Sequence, residues 1–230
     1  SSTSRGLGDV YKRQVYEIGN KFIPKDLPLT EYPDERETIC IGIWGKEENF
    51  FTLKGLVDTV AETLFIDFEY VEDKKTFLHP YRTAKILYNG EEIGYLGQLT
   101  YEIQKEEDMR ESAYIAEIDL KALRPVYGKV PTFAPISKFA KETRDLALVM
   151  NKSVTCGEVE KAIAEASSFV ESVELFDVYE GLQVGPEKKS MAFTVTFAPK
   201  EEEFTTEAVD GYVKKILKNL NNKLGVELRS

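Results

Sequence analysis

Four cations in the last hundred residues stand where an arm, a strand or a turn begins: Lys138, Arg144, Lys188 and Lys189. Cations so placed can contact phosphate at the rim of a sheet. Ser190, Thr194 and Thr196 follow at strand alternation, and hydroxyls there can bond phosphate or a ribose 2′-hydroxyl. Ala147, Val149 and Ala192 fall on the same face and are small enough to let a nucleotide backbone or base come close. Phe139 and Tyr179 offer rings on which an unpaired base can stack, unless the core takes them. Taken by themselves these residues favour an ordinary solvated or partner-covered sheet face, and an RNA-binding face is the competing reading.

Other chemistries find less support. His79 is the only histidine, so a Ser-His-Asp nucleophile or a zinc site would rest on it alone. Bracing a turn in "LHPYR" by hydrogen bonding is its simpler role. Cys40 and Cys156 lie far apart without metal-type neighbours and read as two buried, reduced thiols of a cytoplasmic protein. Glu47-Glu48, Glu91-Glu92, Glu106-Glu107-Asp108 and Glu201-Glu202-Glu203 flank predicted turns. Their spacing is compatible with a glycosidase-like carboxylate pair, but solvated loops need no further assumption. No catalytic residue and no metal ligand is assigned.

The RNA-suited residues need a sheet to hold them, and residues 130–230 spell one. Leu146, Leu148 and Met150 alternate with Asp145, Ala147 and Val149, the pattern of a strand with one buried face. Thr155 and Glu158 form a capping box before the helical stripe Val159, Ala162, Ile163 and Ala166. Val170 to Glu180 is a second strand whose imperfect alternation predicts a bulge. Met191, Phe193, Val195 and Phe197 give a third, facing opposite to Ser190, Ala192, Thr194 and Thr196. Thr205 or Thr206 caps a helix with the seam Val209, Val213, Ile216, Leu220 and Leu224, Gly225 ends it, and "VELR" closes the set. The order is β-α-β-β-α-β, a ferredoxin-like arrangement. Helices should cover the bulky face and leave the small one open.

Residues 15–129 read as an antiparallel sheet with a packed helix. "VYEIGNKF" is a short strand, and Ile39, Ile41 and Ile43 mark another. "FTLKGLVDTVAETL" is an amphipathic helix, and Phe65 to Val71 returns to strand. "TAKILYNGEEIGYLGQL" is a hairpin about a type I′ turn at Asn89-Gly90. Tyr114 to Asp119 is a strand, and "DLKALRP" a short helix stopped by Pro125. Residues 1–14, "SSTSRGLGDVYKRQ", have no useful period and read as a non-native or adapter-derived tail, with a natural disordered tail as the alternative.

Composition bounds the partners. A chain of 230 residues with 42% hydrophobic content can fill one large or two ordinary cores. No apolar run approaches the ~20 residues that span a bilayer. The formal charge is −10, unlike that of a generic nucleic-acid binder. Residues 130–230 hold 13 Lys and Arg against 16 Asp and Glu, while residues 1–129 hold 17 against 24. Any RNA contact should therefore be local, with a shallow salt dependence.

Several motifs carry a family resemblance. "PISKFAKETRDLALVM", "ELFDVYEG", "KKSMAFTVTF" and "GVELR" resemble, in order, the ferredoxin-fold anticodon-binding domain of the bacterial phenylalanyl-tRNA synthetase β-subunit family. Ala140 departs from it, standing where that family usually has proline. "FFTLKGLVDTV", "LHPYRTA" and "GEEIGYLGQL" resemble the class II synthetase-like, non-catalytic sheet domain that precedes it, although Thr100-Tyr101 replaces a frequent His-Pro. The resemblance covers residues 15–230 and implies an α+β fold of two domains, 15–129 and 130–230. It implies tRNA(Phe) and an α subunit as partners in an α2β2 ligase, with ATP and Mg²⁺ used by the whole enzyme and none in this fragment. Ser137 and Arg229, inside two of the matching motifs, join the candidate tRNA contacts.

That sheet would need particular groups to make an adenylate: an arginine on the ATP α-phosphate and a glycine-rich strand ending in another. Gly90, Gly94 and Gly97 are spaced by the hairpin and no arginine follows them at that place. Arg36-Glu37 and Arg110-Glu111 read as solvated pairs. The expected role of the whole is binding and positioning. A purely structural subunit-association module without RNA contact is the alternative.

Overall fold

The structure, a computed structural model, describes residues 12–128, 130, 138–200 and 202–229. The chain divides into two compact units, Ser1–Thr132 and Phe133–Ser230.

The first unit is a six-stranded antiparallel sheet in the order β1-β2-β6-β5-β4-β3. β1 (Lys12–Ile23) pairs with β2 (Asp34–Gly45) along the whole length of both. Lys12, Arg13 and Gln14 pair with Gly45, Trp44 and Ile43, so the strand begins inside the segment set aside as a tail. The ladder is made by backbone groups and extends whatever the side-chain composition. The rest of that segment lies outside the described residues.

α1 (Phe50–Thr63) starts at Asn49, whose side chain accepts from Phe51 N and Thr52 N. It buries Leu53 and Val57 against Ile41, Ile43, Ile86, Leu96 and Ile118 of the sheet, and Ala61 is buried as well. Glu48, just before this helix, is buried instead of sitting in a solvated loop. β3 (Glu69–Glu72) is shorter than the alternation predicts, because Phe65 takes φ 55° in the turn that leaves α1. β4 (Leu78–Tyr88) and β5 (Glu91–Leu99) meet at Asn89 and Gly90 with φ 51° and 81°, as a type I′ turn requires.

α2 (Tyr101–Glu106), absent from the sequence reading, is held by Gln104. Its amide donates to Leu99 O (2.7 Å) and accepts from Ala113 N (3.0 Å). After β6 (Ala113–Asp119) the predicted short helix is only a 3-10 turn, Arg124–Val126, with Pro125 inside it. Proline lacks an N–H, and a first helical turn does not need that donor.

The second unit runs β7 (Glu142–Asn151), α3 (Cys156–Ala166), β8 (Val170–Tyr179), β9 (Lys188–Phe197), α4 (Thr206–Leu224) and β10 (Glu227–Leu228). Its sheet order β10-β7-β9-β8, all antiparallel, is the ferredoxin-like arrangement expected. Both halves of the Thr155–Glu158 capping box form, and Thr205 caps α4 through Ala208 N. β8 carries register shifts at Val170/Ser172 and Leu175/Asp177, the predicted bulge. Leu146, Leu148, Met150, Met191, Phe193, Val195 and Phe197 form one core with Val159, Ile163, Val209, Ile216 and Leu220 of the two helices. The bulky face is the covered one.

Neither cysteine is in a disulfide, and neither is buried as expected: Cys40 is exposed and Cys156 half-buried. Cys40 alternates with Ile39 and Ile41, which puts it on the sheet face that α1 leaves bare.

Candidate nucleic-acid interface

Register fixes what lies on the uncovered face of the second sheet. Side chains of paired residues share a face. Thr143, Asp145, Ala147 and Val149 of β7 pair with Thr196, Thr194, Ala192 and Ser190 of β9, and these with Ser172, Glu174, Asp177 and Tyr179 of β8. Glu227 pairs with Val149 at the other edge. Thr194 and Thr196 are half-buried and reachable, as are Ala147 and Ala192. The carboxylates of Asp145, Glu174, Asp177 and Glu227 are exposed among them. Sequence reading missed this acidic interleaving, although the alternation of β7 and β8 contains it. Thr194 donates its hydroxyl to Asp145 Oδ1 at 2.7 Å, so its oxygen lone pairs remain to accept.

The candidate residues divide. Lys188 is exposed on the uncovered face, opposite Asn151. Lys189 pairs with Met150 on the helix side, where its charge adds to the Thr155 hydrogen bonds that hold the Glu158 carboxyl below its ordinary range. Consecutive strand residues point oppositely, so the two lysines do not act as a pair. Arg144 also belongs to the helix side, sharing the face of Leu146, and its guanidinium binds Glu142 (3.1 Å) and Thr143 O (2.8 Å). Lys138 is exposed and Phe139 half-buried, while Ser137 lies outside the described residues.

Ser190 is on the uncovered face yet only 4% exposed. Tyr179, its cross-strand neighbour, explains the burial. The Arg229 guanidinium lies 5.1 Å from the centre of the Tyr179 ring and donates to Gln183 Oε1 at 2.8 Å. A side chain at Gly181 would collide with the Tyr179 hydroxyl.

Elsewhere the chemistry is structural. On the bare face of the first sheet, Glu117 accepts from Lys21, from Tyr95 Oη (3.3 Å) and from Cys40 Sγ (3.9 Å). Burial, then the charge of Glu117, pushes the Tyr95 phenol and the Cys40 thiol up, which favours their neutral forms. His79 Nδ1 accepts from Tyr81 N (3.2 Å), so the expected hydrogen bond forms, but within the irregular start of β4 and not in a turn. No helix among the described residues is long and apolar enough to cross a membrane.

An apolar row of the first unit has no cover within that unit, and Phe176 and Val178 of β8 are likewise exposed in the second. Tyr16 and Ile18 of β1 pair with Ile41 and Ile39 on the side that α1 covers, but lie beyond it, 75% and 53% exposed. Phe22 continues the row at 61%.

Comparisons with known proteins agree with this division. Residues 7–120 match the family model "Phenylalanyl tRNA synthetase beta chain CLM domain", and residues 137–229 match "Ferredoxin-fold anticodon binding domain". The chain is 35% identical over 227 residues to the phenylalanine–tRNA ligase beta subunit of Bacillus subtilis, covering 94% of this chain and 28% of that protein. The subunits of the same name from Halalkalibacterium halodurans and Streptococcus pyogenes are 32% and 35% identical, again over 94% of this chain and 28% of theirs. The chain thus spans about 28% of the length of these relatives. Among solved structures, pyrrolysyl-tRNA synthetase from Desulfitobacterium hafniense aligns with TM-score 0.40 and 18% identity over 51% of this chain and 42% of that one.

Proposed function

This chain belongs to the phenylalanyl-tRNA synthetase β-chain family, and from that premise we propose that its second unit binds the anticodon stem and loop of a phenylalanine tRNA while its first unit docks the α subunit of the same ligase. The observation that carries the RNA half is the division of one sheet. Phe193 and Phe197 are fully buried under the helices, and the opposite face is small, hydroxylated and open. On that face Thr196 can meet a ribose 2′-hydroxyl, and Asp145, Glu174 and Asp177 can accept from base amino groups. Phosphate falls to Lys138 and Lys188 at the rim.

The α-subunit half is supported by Tyr16, Ile18 and Phe22, an apolar row that needs a protein partner more than a solvent. In a cytoplasmic α2β2 enzyme the unit would hold the tRNA so that its distant acceptor end reaches an active site on the α subunit. ATP and Mg²⁺ would act there. Among the described residues no three His, Cys, Asp or Glu side chains come together in a way that could hold a metal ion.

A purely structural role, with both units used for subunit association, is the second reading, and the formal charge of −10 favours it. Filter binding of the full chain to phenylalanine tRNA at ~50 mM salt separates the two. The RNA reading expects measurable affinity that weakens when the anticodon is changed. No affinity, or indifference to the anticodon, supports the structural reading.

A further inference from the structure

Tyr179 ends β8 and Arg229 follows β10, and these strands are the two opposite edges of the sheet β10-β7-β9-β8. Three strand spacings of about 4.8 Å separate them, roughly 14 Å in all. A long arginine and a tyrosine reaching inward are just enough to meet across that gap. They do meet, with the guanidinium 5.1 Å from the ring centre. The contact therefore passes over β7 and β9 on the uncovered face. Ser190, between the two edges, is 4% exposed, which is what a side-chain bridge above it produces.

The bridge is anchored at both ends. Arg229 N donates to Ala147 O at 2.8 Å, fixing where its side chain starts, and its guanidinium donates to Gln183 in the turn after β8. On the other side Gly181 leaves the room that the Tyr179 hydroxyl occupies. The ring is thus held in place, with one flat surface already taken by a planar cation.

Stacking on an aromatic ring is available to any base, and an arginine plane competes for the same surface. We propose that Arg229 is a clasp: in the free chain it occupies the Tyr179 ring and closes the uncovered face over Ser190, and an RNA base displaces it. The released guanidinium moves to a phosphate of the same RNA. Its planar fork suits that second partner as well as the first. Arg229 is a positioning residue for RNA entry, and Gly181 and Gln183 hold the closed state. The inference rests on the RNA reading above and adds to it an order of events: the clasp opens as the base arrives.

The test uses the full chain with isotope-labelled arginine and an RNA hairpin carrying the anticodon stem and loop of a phenylalanine tRNA. In the free chain the Tyr179 ring current should shift the Arg229 side-chain proton signals upfield, and Tyr179→Leu should abolish that shift. The signals are identified by their loss in Arg229→Gln. Saturating RNA should return them to ordinary positions. In filter binding, Arg229→Gln should lower the slope of log Kd against log salt by about 0.7, the value for one single-strand phosphate, with an unchanged circular dichroism spectrum. A brace that stays put predicts the opposite on both counts. An upfield shift kept in the RNA-bound chain, or an unaltered salt slope in Arg229→Gln, overturns the clasp. If the unmodified chain has no affinity for the hairpin, the RNA reading itself has failed, and the clasp with it.

Discussion

The two sheets leave different things uncovered. In the first unit, α1 covers Ile41, Ile43, Ile86, Leu96 and Ile118, but the apolar row runs on past the helix to Tyr16, Ile18 and Phe22 at the edge. In the second, α3 and α4 take Leu146, Leu148, Met150, Met191, Phe193, Val195 and Phe197 of β7 and β9, the open face presents Thr194, Thr196, Ala147, Ala192, Val149 and a set of carboxylates, and Leu175, Phe176 and Val178 of the edge strand β8 stay exposed. A greasy remainder is satisfied by another protein's apolar surface. A lean polar one invites a ligand that brings its own rings, hydroxyls and amino groups. The same construction, helices on one side of an antiparallel sheet, thus serves two classes of partner through what the helices fail to cover.

Breaking the covered side should cost most. Phe193→Ala removes a fully buried ring and should destabilise the second unit by about 3–5 kcal/mol in chemical denaturation. A loss below about 1 kcal/mol would mean the sheet is inside out. Next, Ile18→Asp puts a charge in the apolar row of the first unit. It should weaken co-purification with the α subunit at least tenfold, on the order of a hot-spot position, while leaving the thermal transition nearly unchanged because Ile18 is 53% exposed. Undiminished association would remove the row from the docking surface.

Smaller effects sharpen the comparison inside the second unit. Thr155 N–H and its hydroxyl donate to Glu158 Oε2 at 2.8 and 2.9 Å and hold that carboxyl below its ordinary value of 4.5. A lowered folded-state pKa gives stability that is present above pH 4.5 and lost as pH falls through the folded value. Thr155→Ala should cost about 1 kcal/mol at neutral pH. Glu158→Gln should flatten the decline in stability below pH 4.5, and an unchanged acid limb would exclude the carboxylate from the cap. The smallest effect separates two neighbours. Lys188→Ala should weaken tRNA binding a few-fold and lower the salt slope by about 0.7–0.9, whereas Lys189→Ala should leave both unchanged. Equal effects would show that facing does not decide which lysine meets RNA.

Much of this was legible in the sequence because period and burial coincide. The alternation of Leu146 to Met150 and Met191 to Phe197, the capping box at Thr155 and the seam of α4 each specify an element locally, and the β-α-β-β-α-β order follows. α2 was not legible, since six residues show no full helical period and Gln104 secures it through contacts made only after folding. The start of β1 was hidden for a similar reason: its first residues are ordered by pairing with Ile43 to Gly45 and not by their own pattern. The site was legible in composition but not in assembly. Alternation alone places Arg144 with Leu146 and parts Lys188 from Lys189, a deduction from period two. No local pattern brings Arg229 to Tyr179, because that needs the sheet order that sets β8 and β10 at opposite edges.

The most direct measurement is a map of amide chemical shifts of the full chain as the anticodon hairpin is added. The account predicts changes concentrated on the uncovered face, at Asp145 to Val149, Asp177 to Tyr179 and Ser190 to Thr196, with α3 and α4 quiet. Changes centred on the helices, or none at saturating RNA, would contradict it.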